Sequence, residues 1–119
     1  MIRAAFFGNN PAAIERVYAM GRYAQVAAAT DLYPSVVSHA DFAAQAANLA
    51  DVRAVFGTWG FPELTSEELD RLPNLEIVFY GAGSVQRFAR PFLERGITVV
   101  SAWAANAVPV AEFTLAQIL

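Results

Sequence analysis

A short apolar stretch in the second half of the chain, Leu75-Glu-Ile-Val-Phe-Tyr80, runs directly into the turn Gly81-Ala-Gly-Ser84. The stretch is too short for a helix and is rich in β-branched and aromatic residues, so it predicts a buried strand. Similar short apolar runs lie at Ile2 to Phe7, Arg53 to Thr58 and Ile97 to Trp103. Because such strands are apolar on both sides, they are typical of a parallel sheet that is covered by helices.

Helical segments alternate with these strands. The predicted helices run from Asn10-Pro11 to Gly21, from Ser38 to Asp51, from Thr65 to Pro73, from Phe88 to Gly96 and over residues 107–119. We predict a further strand from Tyr23 to Ala29. The alternation predicts a single α/β domain over residues 1–119, with a five-stranded parallel sheet between helices on both faces. The terminal helix is apolar nearly all round, and we expect it to be buried.

Composition excludes several classes of function. Hydrophobic residues make up 56% of the chain, more than in ordinary soluble domains, yet no run is long enough to span a membrane. A net charge of −3, carried with scattered arginines and no lysine, argues against a nucleic-acid partner. With no cysteine and a single histidine, His39, we expect no metal site. We expect a cytoplasmic protein, because the start of the chain does not resemble a secretory signal.

Ligands of open parallel sheets bind at the carboxyl ends of the strands. The loops expected there are Gly8-Asn-Asn10, Trp59-Gly-Phe61, Gly81-Ala-Gly-Ser84 and Ala104-Ala-Asn106. The first of these lacks the G-x-G-x-x-G pattern of a dinucleotide site, so we expect this chain to bind no cofactor. The Gly81-Ala82-Gly83 stretch is either an ordinary tight turn or a loop whose backbone N–H groups bind an anion such as a carboxylate.

Three motifs carry a family resemblance. They are the stretch Leu72 to Ser84, the stretch Arg95-Gly-Ile-Thr-Val-Val-Ser101 and the stretch Asn106-Ala-Val-Pro-Val-Ala-Glu-Phe-Thr-Leu115. In this order and spacing they closely resemble the amino-terminal segment of the D-isomer-specific 2-hydroxyacid dehydrogenases. The resemblance is specific from Leu64 to Leu119, and before that it rests on the order of elements. It implies a flavodoxin-like, three-layer substrate-binding domain that precedes a separate nicotinamide-binding domain.

The resemblance also implies where a substrate binds. Its carboxylate would lie on backbone amides of the loop Tyr80 to Ser84, with Trp59 and Gly60 facing the same cleft. We interpret Asn106 as the cap of the terminal helix and as a neighbour of the ligand. The resulting candidate substrate-binding residues are Trp59, Gly60, Tyr80, Gly81, Ala82, Gly83, Ser84 and Asn106. One departure lies just after this loop, where many members carry an aspartate and this chain has Val85-Gln-Arg87.

The arginine, acid and histidine that perform catalysis in the family come from outside the matching segment, so we predict no catalytic residue here. His39 is expected at the surface. Trp59 and Trp103 either line the cleft or pack in the interior. The function implied is that of a substrate-binding domain of an NAD- or NADP-dependent 2-hydroxyacid oxidoreductase, inactive without its nucleotide-binding domain. The alternative is a non-enzymatic binding or self-association module, and in either case we expect a homodimer formed through the terminal helix.

Overall fold

Five short strands form one sheet: β1 Arg3–Phe6, β2 Asp31–Leu32, β3 Ala54–Gly57, β4 Ile77–Tyr80 and β5 Thr98–Ser101. They are seen in a computed structural model that describes all residues, 1–119. The strands pair in the order β2-β1-β3-β4-β5, and every pairing is parallel. This is the strand order of flavodoxin-like folds. The predicted α/β class and five-stranded parallel sheet are therefore confirmed.

Six helices connect or follow these strands: α1 Pro11–Val17, α2 Arg22–Ala29, α3 His39–Gln45, α4 Ser66–Leu69, α5 Arg90–Glu94 and α6 Trp103–Ile118. A 3-10 turn continues α3. Crossover connections between parallel strands are right-handed. The chain crosses the sheet in one direction as it passes from β2 to β3, β4 and β5, so α3, α4 and α5 lie on the same face of the sheet, here named the first face. The opposite step, from β1 to β2, places α1 and α2 on the second face. None of the helices combines the length and hydropathy needed to cross a bilayer.

Most of the hydrophobic core lies on the first face, and Phe61 occupies its centre. The Phe61 ring is fully buried, with ring centroids 4.4 Å from Phe88, 5.9 Å from Phe92, 6.2 Å from Phe7 and 6.3 Å from Tyr80. Such aromatic clusters stabilise a core through burial and through edge-to-face or offset ring contacts. Because Phe61 follows β3 directly, its insertion holds the loop after β3 against the carboxyl edge of the sheet.

The predicted strand from Tyr23 to Ala29 is wrong, because this segment forms helix α2. Four of its seven residues are alanine, the best helix former and a poor strand former, and this preference decides the local structure. Gly21 precedes the helix with a φ of +84°, a backbone conformation that glycine adopts without strain. The second strand is only two residues long, and it pairs with Arg3 and Ala4 of β1.

The terminal helix begins at Trp103, four residues before the predicted boundary. The last strand correspondingly ends at Ser101 and does not reach Trp103. Asn106 therefore lies in the first turn of α6, where its backbone N–H donates to Ala102 O at 2.9 Å, and the expected capping role is wrong. The alanines around Asn106 favour helix, so α6 begins earlier in the chain than predicted. The expected burial is also wrong, since no residue of α6 is buried within the chain.

Candidate functional site

The predicted binding residues lie on three neighbouring segments at the carboxyl edge of the sheet. The loop after β3 and the loop after β4 are joined at their bases, where Thr58 Oγ1 donates to Gly81 O at 3.3 Å and Gly81 N donates to Gly57 O at 2.8 Å. The first loop of the chain is joined to them, because Asn9 N donates to Gly60 O at 2.8 Å. Parallel strands that end at one edge bring these loops together, as the fold predicts.

The loop Gly81 to Ser84 has backbone N–H groups without an acceptor in the protein. Gly81 N is used by the neighbouring strand, whereas the amides of Ala82, Gly83 and Ser84 make no hydrogen bond. Ala82 is fully buried, while Gly83 is partly exposed and Ser84 is exposed. The amides of Gly83 and Ser84 are therefore the ones that a ligand can reach. Adjacent free N–H donors of this kind favour an anion.

Ser101 holds this loop from the end of β5. Its hydroxyl oxygen lies 3.1 Å from Ala82 O and is also within hydrogen-bond distance of Gly83 O. The single Ser101 hydroxyl proton can be donated to either carbonyl oxygen, and this contact limits rotation of the peptide groups in the loop. The sequence did not point to Ser101, since a single serine at a strand end carries no specific signal.

Asn106 lies directly over Gly83. A Cβ atom at position 83 would be only 3.1 Å from Asn106 Nδ2, so a larger residue there would require the Asn106 side chain to shift by a few tenths of an ångström. The Asn106 side chain is half-buried, and it makes no hydrogen bond within the protein. Its carboxamide N–H group is therefore a further donor beside the free amides of the loop. This contact brings together two residues that are 23 positions apart in the sequence.

Trp59 and Gly60 lie in the loop after β3, where Gly60 contacts the first loop of the chain. Trp59 is 49% exposed, so its indole is available to a ligand and is not part of the core. Gly60 has a φ of +82°, which favours glycine, and it turns the chain back towards the buried Phe61. Trp103, the other tryptophan considered for the cleft or the core, is 68% exposed at the start of α6.

Tyr80 offers a ligand fewer free groups than the other candidate residues do. Its ring is buried in the first-face core, 5.0 Å from the Phe88 ring, and its carbonyl oxygen accepts a hydrogen bond from Ala102 N at 3.0 Å. Burial raises the pKa of Tyr80, while the nearby positive charge of Arg87 opposes the shift. The Tyr80 side chain is thus a structural support for the loop.

Arg87 follows the loop Gly81 to Ser84 by three positions, and sequence reasoning did not name it as a site residue. Its guanidinium donates to Phe61 O at 3.1 Å and forms an ion pair with Glu63 at 3.3 Å. These contacts connect the segment after β4 to the segment after β3, across 26 residues of sequence. Many members of the family that the sequence resembles have an aspartate in the stretch Val85 to Arg87. In this chain Arg87 instead links the two loops.

The single histidine of the chain, His39, contacts Asn9 and Glu68. His39 lies at the start of α3, half-exposed, with Nε2 3.0 Å from Glu68 Oε2. Its backbone N–H donates to Asn9 Oδ1 at 2.8 Å. The structure thus places His39 at the surface, within hydrogen-bond distance of the carboxylate of Glu68, which caps α4. No cluster of three or more histidine, aspartate or glutamate side chains is arranged to hold a metal ion.

Two backbone amides of the first βα turn are used within the protein. Gly8 N donates to Val37 O at 2.9 Å and Asn9 N donates to Gly60 O at 2.8 Å, so neither is free for a ligand. Comparison with known proteins adds no assignment, since no family model and no curated protein matches the chain. The free donors at this edge are of the kind that favours a small anion.

Proposed function

We propose that this chain is a substrate-binding domain of the type found in D-2-hydroxyacid dehydrogenases, and that it binds the carboxylate of a small 2-oxo or 2-hydroxy acid. The observation that carries the proposal is the group of free donors formed by the amides of Gly83 and Ser84 and by Asn106 Nδ2. These donors lie at the carboxyl edge of the sheet, where folds of this order bind ligands. The resemblance of three consecutive motifs to that family supports the same substrate class.

In this proposal the chain binds and orients the acid but does not reduce or oxidise it. The carboxylate accepts hydrogen bonds from the free donors, and Trp59 covers one side of the bound acid. NAD or NADP would supply the hydride, and it would be held by a nucleotide-binding domain rather than by residues of this chain. The reaction served is the interconversion of a 2-hydroxy acid and a 2-oxo acid.

A titration followed by NMR tests this proposal. The purified chain is titrated with pyruvate to millimolar concentration while the backbone amides, the Asn106 side-chain amide and the Trp59 indole are observed. We expect saturable shifts at Gly83, Ser84, Asn106 and Trp59, and none with acetone, which lacks the carboxylate. A folded spectrum without saturable shifts at these residues would overturn the proposal.

The variant Asn106→Ala sharpens the test. A hydrogen bond to a charged group contributes about 1.5–3 kcal/mol, so we expect the dissociation constant for pyruvate to rise about tenfold or more. Asn48→Ala is the matched control, because Asn48 is exposed, lies on the 3-10 turn after α3 and makes no side-chain hydrogen bond. Equal affinities of the two variants would remove Asn106 from the site.

A further inference from the structure

The second face of the sheet is only partly covered. One row of neighbouring residues crosses it from β1 to β5: Phe6, Phe56, Phe79 and Val100. At one end Phe6 is buried beneath the Tyr18 and Tyr23 rings, with centroids 4.8 and 4.9 Å away. Exposure then increases along the row, until Val100 on β5 is 42% exposed. The apolar surface over β4 and β5 thus lacks the helix layer that parallel sheets normally carry on both faces.

This uncovered surface forms a groove beside α1 and α2, here named the second-face groove. One wall is formed by Val17, Tyr18, Val26 and Ala29, and the adjoining floor by Phe56, Phe79 and Val100. The main part of the groove has a volume of about 620 Å³. Arg22 lies at its rim and makes no ion pair, since its guanidinium only donates to the nearby Ala19 O. The groove is therefore apolar, with one free positive charge at its edge.

Helix α6 has the complementary properties. Its 16 residues include one charged side chain, Glu112, which makes no ion pair. Val108 and Leu115, at helical spacing from Glu112, are 56% and 57% exposed. An apolar face of this helix thus carries one negative charge at its flank. The helix is about 24 Å long at 1.5 Å per residue, longer than the groove floor of four-residue strands.

The helix touches the groove of its own chain only at its first turn, where Ala105 lines one end, and the rest of its length does not cover the groove. Only Ala102 separates α6 from the end of β5, and Ala102 N is held by Tyr80 O at 3.0 Å. The helix consequently leaves from the carboxyl edge, and every residue from 107 to 119 is exposed. The elongated dimensions of the chain, 52 × 30 × 24 Å, reflect this projection.

We propose that two copies of this chain form a closed dimer by exchanging α6, each helix lying in the second-face groove of the other copy. Reciprocal exchange gives a two-fold assembly that does not extend further. One side of such a helix covers on the order of 400 Å². Two helices and two grooves therefore bury on the order of 1,600 Å², the size of a standard stable interface. Glu112 of one copy then faces Arg22 of the other, which pairs the free charges of helix and groove.

Light scattering on size-separated protein over a range of micromolar concentrations tests the dimer. We expect a dimer for the unaltered chain and at least a tenfold weaker association for Leu115→Glu. Leu93→Glu is the matched control, because Leu93 has a similar exposure of 55% but lies on α5, on the first face. A monomer throughout this range, or equal weakening by both variants, would overturn the proposal.

A charge exchange tests whether the helix occupies the groove. Arg22→Glu and Glu112→Arg should each weaken the dimer several-fold, and the double variant should restore it. Hydrogen exchange at Val100 should also slow on dimerisation. The proposed exchange is wrong if the double variant dimerises as weakly as the single variants and hydrogen exchange at Val100 does not slow on dimerisation. Because Asn106 belongs to α6, the carboxylate titration is judged apart from the dimer at Gly83, Ser84 and Trp59, which lie neither on α6 nor in the groove.

Discussion

At the scale of single residues, Tyr18 shows how a side chain from the second face secures the candidate site. Its hydroxyl donates to Gly57 O at 3.0 Å, at the end of β3 and just before the loop that carries Trp59. Gly57 O also accepts from Gly81 N, so this one oxygen connects α1 with the loops after β3 and β4. Burial raises the pKa of Tyr18 to about 12, although the hydrogen bond to Gly57 opposes the shift.

We expect Tyr18→Phe to lower the free energy of unfolding by about 1 kcal/mol at pH 7, because Gly57 O loses a donor. The raised pKa means that the folded state retains this proton longer than the unfolded state does. The stabilisation is therefore complete below about pH 10 and is lost as the pH rises from there through about 12. Urea denaturation of both proteins from pH 7 to 12 measures this effect.

The difference between the unaltered chain and Tyr18→Phe should narrow over that alkaline interval. Tyr23→Phe is the control, since the Tyr23 hydroxyl makes no hydrogen bond, and its stability at pH 7 should match that of the unaltered chain. A constant difference across the whole range would show that Tyr18 does not titrate in this way.

At the scale of elements, the short helix α4 depends on its capping box. Thr65 Oγ1 accepts from Glu68 N at 3.1 Å, and Glu68 Oε1 accepts from Thr65 N at 3.0 Å. The hydrogen bond from the Thr65 backbone is the main reason that the pKa of Glu68 is lowered, and the contact with His39 lowers it further. Glu68 thus joins the start of α4 to the start of α3.

Glu68→Gln should destabilise the protein near neutral pH. The substitution removes a negative charge that interacts favourably with the N-terminus of α4 and with His39. A lowered pKa means that the folded state releases this proton more readily than the unfolded state. The stabilisation from the Glu68 charge is therefore present above the unfolded pKa of about 4.5 and is lost as the pH falls through the lower folded value.

Thermal unfolding at pH 7 and at pH 3 measures this dependence. Glu67→Gln is the matched control, because Glu67 lies in the same first turn and makes no side-chain hydrogen bond. We expect Glu68→Gln to lower the melting temperature more than Glu67→Gln at pH 7, with the two converging towards pH 3. Identical behaviour at both pH values would contradict the role assigned to Glu68.

At the scale of the whole molecule, free and hydrogen-bonded groups occupy different parts of the carboxyl edge of the sheet. The donors at Gly83, Ser84 and Asn106 are free, whereas the Gly8 and Asn9 amides are used internally and His39 contacts Glu68. In the proposed function, the hydride donor and the proton-transfer group belong to a nucleotide-binding domain and not to this chain. Binding in the absence of a hydride donor or a proton-transfer group cannot accelerate oxidation or reduction. We therefore expect this chain to bind an acid without turning it over.

Incubation of the chain with pyruvate and NADH, or with NADPH, measures this directly. Nicotinamide absorbance should remain at the level of a protein-free control, even at pyruvate concentrations that saturate the amide shifts. A loss of absorbance that increases in proportion to the chain concentration would show that catalytic groups are present and would contradict the proposed division of roles.

Several elements could be predicted because their signals are local. The capping residue Ser38 accepts from Asp41 N as expected, and Gly96 follows α5 with a φ of +75°. The strand predicted at Leu75 to Tyr80 forms over Ile77–Tyr80. Each of these depends on neighbouring residues alone, through capping, turn conformation or the length of an apolar run.

Other features could not be predicted because they depend on partners distant in sequence. The contact of Asn106 with Gly83 arises only once β5 lies beside β4, and the tie from Arg87 to Phe61 requires two loops to meet. The helix at Arg22–Ala29 is a different case, since its apolar run suits a strand as well as a helix. There the alanine content outweighed the pattern, and the strand formed two residues later.

By itself, the sequence determined the class of fold and which loops lie at the carboxyl edge of the sheet, because alternating short apolar runs and capped helices leave few other arrangements. Only the tertiary structure decided which groups at that edge are free and which face of the sheet is open. A backbone N–H is free or used according to what the neighbouring strand and loop place beside it, as Gly81 and Gly83 show. Likewise, α6 is exposed because of the direction in which it leaves β5, which no local pattern specifies.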